Sequence, residues 1–194
     1  MNIRSILILI FTIVGNLSFG QERVLVVRIS SDNHKITTEN MIDLVENQPS
    51  LLVGLLEDGT GIIVFDTDKK AWKTDNLEGY KIKTFPTRIN YNVLCKIAKD
   101  HQTLSATFVQ YNTVITKFNV QQVPQLQYSH YNYLKQLKNI GSVLFEGNYD
   151  NDDGGILLIE GSIEAEVINA DPTIRSGFII PDMQKANLSS IKCD

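Results

Sequence analysis

The sequence predicts an α+β fold made of two βαββαβ units of ferredoxin-like topology. Apolar runs of strand length and helix-period segments follow one another in the same order twice. Each half also carries two apolar runs joined through an Asp-Gly turn. Finally, Asp58-Gly59-Thr60-Gly61-Ile62-Ile63-Val64-Phe65 aligns with Asp152-Asp153-Gly154-Gly155-Ile156-Leu157-Leu158-Ile159 at a fixed offset of 94 residues.

The first twenty residues stand apart. Arg4 precedes an apolar stretch from Ile6 to Val14, and Ser18-Phe19-Gly20 sets small residues three and one positions before Gln21. That is the pattern of a signal peptide, and the run is short of the ~20 residues that span a bilayer. Export to a bacterial periplasm is the expected localisation, with no membrane association after cleavage. Loss of residues 1–20 leaves 174 residues and moves the formal charge from −4 to −5. A mildly acidic chain without clustered Lys and Arg is not built for nucleic acid or an anionic membrane. Cys95 and Cys193 both fall in the mature chain, where a disulfide and two free thiols are equally compatible with export.

The first unit is expected over residues 21–100. Arg23 to Ile29 is β-branched and reads as a strand. Thr38 is placed to cap a helix whose Met41, Leu44 and Val45 share one face, and Pro49 ends it. Leu51 to Leu56 and Ile62 to Phe65 form a hairpin, Asp68 to Asn76 a short helix, and Tyr80 to Phe85 a closing strand.

The second unit is expected over residues 101–194. Leu104 to Tyr111 opens it as a strand, and a loop with Pro124 leads to a helix from Leu126 to Asn139. Leu126, His130, Tyr133, Leu134 and Leu137 lie on one face of that helix, and Gly141 caps its end. Val143 to Phe145 and Ile156 to Ile159 are the hairpin strands. Ser162 starts a helix with Ile163 and Val167 that stops at Asp171-Pro172, and Phe178 to Ile180 closes the sheet. Gly79-Tyr80 matches Gly177-Phe178 at an offset of 98, so the first copy is shorter by four residues before its last strand. That is where Asp171-Pro172 stands in the second copy.

The order His130, Tyr133-Leu134, Gly141, Gly147, Gly155, Asp171-Pro172 and Gly177 resembles the YCII-related (YciI-like) family, best over Tyr128 to Gly177. The resemblance implies two units packed as a pseudo-dimeric α+β barrel, with the first half a degenerate partner. It also implies acid–base chemistry through a His130–Asp171 pair, with no cofactor. The chain departs from the family pattern at Gln127, where an arginine often stands, at Asn148 in place of a proline, and at Thr173 in place of an aromatic.

Other motifs are weaker. The acidic run Asp150-Asn151-Asp152-Asp153-Gly154 fails the calcium-loop spacing, since its glycine comes one residue late and no glutamate follows at the twelfth position. His34 and His101 show no metal spacing with each other or with His130. Trp72 beside Lys69, Lys70 and Lys73 reads as a partly buried anchor of a short helix, with a surface contact as the alternative. No phosphate loop or nucleophile elbow is present. The expected function is therefore an exported YciI-like domain without catalytic activity, a small-ligand binder or interaction module. The alternative is a cofactor-independent lyase, isomerase or dehydrohalogenase-like enzyme. There His130 is the general base and Asp171 its orienter, acting on a small cyclic or carbonyl compound.

Overall fold

A computed structural model describes residues 22–45, 48–67, 79–94, 103–114, 118–119, 121–189 and 191. The expected leader, the expected helix from Asp68 to Asn76, His101 and both cysteines lie outside the described residues. The strands are β1 (Arg23–Ser30), β2 (Ser50–Leu56), β3 (Gly61–Asp66), β4 (Lys81–Asn92), β5 (Thr103–Thr113), β6 (Val143–Tyr149), β7 (Gly154–Glu160) and β8 (Ile179–Ser189). The described helices are α1 (Thr38–Val45), α2 (Gln122–Asn139), α3 (Ala165–Asn169) and α4 (Pro172–Arg175).

All eight strands join one closed antiparallel barrel in the order β1-β3-β2-β8-β5-β7-β6-β4. Strand takes 48% of the described residues and helix 25%, so the architecture is a β-barrel with helices laid on its outside. This overturns the expected ferredoxin-like α+β fold and its pseudo-dimeric packing of two sheets face to face. The reason lies in the strand edges. An open sheet leaves edge N–H and C=O groups unpaired, and closure removes them. β2 pairs with β8 from Val53↔Ser189 to Leu56↔Ala186, and β4 pairs with β6 from Thr87↔Tyr149 to Asn92↔Phe145.

Those seams use residues that the sequence reading left outside the sheet. β4 runs on from Phe85 to Asn92, and β8 from Ile180 to Ser189. Pro86 and Pro181 hid both extensions, because a proline cannot donate to a ladder. Pro86 stands opposite Leu25 of β1 at the end of the β6 seam, where its carbonyl accepts from the Asp150 N–H at 2.9 Å, and Pro181 stands opposite Tyr111 before the β2 pairing begins. Both seams join strands from opposite sides of the expected boundary at residue 100, so a single barrel, and not two packed sheets, takes up all eight strands. The offset of 94 matched the turn chemistry of two hairpins. An apolar strand entered through Asp-Gly is what any such hairpin needs.

Local signals held well. Gly59 has φ +79, and the Asp58 carboxylate accepts from the Thr60 N–H at 2.8 Å, closing the β2–β3 turn. Thr37, not Thr38, caps α1, accepting from the Asn40 N–H at 3.3 Å. α2 starts at Gln122, four residues before the expected start, with Pro124 in its first turn, where the missing N–H has no intrahelical partner to lose. Gly141, at φ +80, ends that helix by donating its N–H to the Lys138 carbonyl at 3.0 Å.

Alternation along the strands sorts the core into an inside and two outer walls. Val24 and Val26 of β1 join Phe108, Leu144, Ile156 and Leu188 inside the barrel. Val27 and Ile29 face outward and pack with Met41 and Val45 of α1. On the opposite wall Val109, Leu157 and Ile159 pack beneath Leu134 and Leu137 of α2 and Ile168 of α3. Arg28 continues the inward series of β1. Its guanidinium donates to Gln110 at 3.0 Å, Asp182 at 3.2 Å and Asp58 at 3.3 Å, so its charge is paired.

Candidate active site

His130 is positioned by the apolar face of α2. Leu134 and Leu137 are each 4% exposed against the barrel wall, and His130 lies one turn before Leu134 on the same face. Its ring meets Tyr111 of β5 edge to face, with centroids 5.2 Å apart. Tyr133 donates its hydroxyl to the Val167 carbonyl and so ties α2 to α3. Burial, together with the Asp171 charge, pushes the Tyr133 phenol up to about 12.

The segment that carries Asp171 differs from its expected form. The helix begins at Ala165, not Ser162, and buries Ile168 while Val167 is exposed. Asp171-Pro172 stops that helix and also starts the next. Asp171 is the N-cap of α4 and Pro172 its first residue, where proline's fixed φ suits the helix. Both capping bonds come from Thr173, whose N–H donates to Asp171 Oδ1 at 2.9 Å and whose hydroxyl donates at 2.7 Å.

The two elements bring the 41-residue-distant pair together: His130 Nδ1 lies 2.5 Å from Asp171 Oδ2. Asp171 is fully buried, and burial alone would raise its carboxyl. Hydrogen bonding and charge interaction with His130, with the two bonds from Thr173, outweigh that and hold it below the usual carboxylate value. An ionised carboxylate only accepts, so Nδ1 carries a proton and donates a hydrogen bond to Asp171. Nε2 has no hydrogen-bond partner among the described residues, and in the neutral ring it carries the free lone pair. The imidazole is 19% exposed, so a small molecule can reach it.

It opens on a cavity of about 550 Å³ between α2 and strands β4, β5, β6 and β7. The volume suits a small organic ligand. Leu134, Ile156, Phe178 and Ile179 make one part of the lining apolar. The polar part contains groups the sequence reading missed. Lys138 pairs with Glu146 at 2.7 Å, and Asn90 donates to the same carboxylate at 3.3 Å. Glu146 had one visible signal, a lone carboxylate inside the apolar run Val143 to Tyr149. Tyr111 had none, because it read as an ordinary strand aromatic. Its hydroxyl is buried without a hydrogen-bond partner among the described residues. Burial pushes this phenol well above its ordinary value, and the nearby charges of Asp171 and Glu146 add to the rise.

The three departures from the family pattern also find places. Gln127 and Asn148 line the cavity. Thr173 is the residue that fixes Asp171. The acidic β6–β7 tip is tied instead to Arg88, which pairs with Asp150 at 3.5 Å and with Asp152.

No family model and no curated protein matches the chain. Among solved structures it is similar to a "putative monooxygenase" from Lactobacillus acidophilus NCFM, at 10% identity over 87% of this chain and 96% of that one, with a TM-score of 0.46. A likeness this remote assigns neither substrate nor reaction.

Proposed function

We propose that this protein is a cofactor-independent acid–base catalyst of the lyase or isomerase type, acting on a small organic molecule in the cavity beside α2. The observation that carries the reading is the His130–Asp171 pair: a buried, ionised carboxylate 2.5 Å from Nδ1 of a ring in a cavity wall. Asp171 orients the ring and stabilises the imidazolium that forms when Nε2 accepts a proton. The resemblance to the YCII-related family stands in support of this role, on the same two residues. A non-catalytic binder would use the same cavity but would not need the Nδ1–H tautomer.

Deuterium wash-in from D2O at the α-carbon of cyclohexanone and 1-tetralone, followed by mass spectrometry, tests the proposal. Exchange well above buffer that disappears in His130→Gln is the expected result. Equal exchange by the wild type and His130→Gln would remove catalysis and leave the binder. Long-range proton–nitrogen spectra of the imidazole supply an independent check. The Nδ1–H tautomer should dominate in the wild type and give way to a mixture in Asp171→Asn.

A further inference from the structure

Resting on that reading, we infer that Tyr111 is a second catalytic residue, the hydrogen-bond donor for a carbonyl oxygen of the substrate, and that the substrate class is an enolisable ketone or related carbonyl compound. The inference starts from the polar groups of the cavity wall. Lys138 and Asn90 are both engaged with Glu146. Tyr111 lines the same cavity, is 4% exposed, and has a hydroxyl that meets no acceptor among the described residues. Buried hydroxyls are nearly always satisfied, so an orphan beside a reactive ring asks for a partner that arrives from outside. Its place is suitable, because the ring lies against His130, 5.2 Å between centroids.

The chemistry balances with these two groups alone. Nε2 of His130 takes the α-proton as the C–H bond breaks. The released electron pair forms a carbon–carbon double bond, and the carbonyl π electrons move to oxygen. Tyr111 donates a hydrogen bond to that oxygen and keeps its own proton. The imidazolium then returns the proton to the same carbon or to another. A phenol raised far above neutrality stays a donor throughout the working range. Closure of its hydroxyl to bulk water strengthens the bond to a developing oxyanion.

Tyr111→Phe keeps the ring and removes only the hydroxyl, so two readouts separate the roles. Deuterium wash-in to 1-tetralone should fall about 100-fold, the usual cost of one oxyanion donor. The melting temperature should stay level or rise, because no bond within the protein is lost. Unchanged exchange in Tyr111→Phe, with exchange still lost in His130→Gln, would overturn Tyr111 and spare His130. A melting temperature lowered by several degrees would also overturn it, since the hydroxyl would then serve the fold. No exchange above buffer by the wild type would sink the acid–base reading, and this inference with it.

Discussion

On the wall covered by α1, the space above Gly61 is filled by Met41: a Cβ on that glycine would run into the methionine Sδ and Cε. On the wall covered by α2, Gly155 of β7 borders the cavity, and a Cβ there would meet the Gly147 carbonyl of β6 and no helix side chain. One helix seals its strands with a fully buried methionine and valine. The other stands over its strands on two leucines and leaves His130, Tyr111 and Glu146 around an open volume. The difference shows how a barrel divides its labour. Packing density on one side is stability, and its absence on the other side is room for a ligand.

The comparison breaks first at the chemistry. His130→Gln should lower ketone exchange about 1000-fold, the scale of a general base. Met41→Ala, on the opposite wall, should leave the rate unchanged once both variants are compared well below their melting temperatures. Stability should show the reverse order. Met41→Ala removes buried atoms from a closed site and is expected to cost about 3 kcal/mol in urea unfolding. Leu134→Ala adds space to an existing cavity and should cost less, about 2 kcal/mol. Equal losses would mean that the α2 wall is as tightly packed as the other.

Asp171 sharpens the comparison through pH. Asp171→Asn removes a charged acceptor of three hydrogen bonds and should cost about 2.5 kcal/mol at pH 7. The native carboxyl lies below its ordinary value, so its contribution is full above the unfolded carboxylate range. It fades as pH falls through the lower native value. The difference between wild type and variant should therefore close in acid, below pH ~4. A difference that does not narrow as the pH falls would show that the carboxylate is not the source. Thr173→Val should cost about 1.5 kcal/mol, for one bond to a charged oxygen, and should also weaken the tautomer preference of His130. The smallest effect belongs to the α1 wall: Thr37→Ala removes a cap worth about 1 kcal/mol and should leave the His130 spectrum untouched.

What the sequence determined by itself is local. Strand cores such as Val24 to Ile29, the Asp58-Gly59 turn, the apolar face of α2 and its glycine stop follow from β-branched composition, the helix period of 3.6 and turn stereochemistry. His130 and Asp171 were visible as residue types on an apolar helix face and at an Asp-Pro junction. Their approach was suggested by resemblance and not by spacing, for 41 residues of chain carry no distance. Tertiary structure alone decided that β4 and β8 run past their prolines and seal one barrel, because the need to pair strand edges acts between segments remote in sequence. It also decided that Thr173 holds Asp171 and that Tyr111 ends without a partner. Both depend on which side chains meet once the chain has closed, and no window of sequence contains that information.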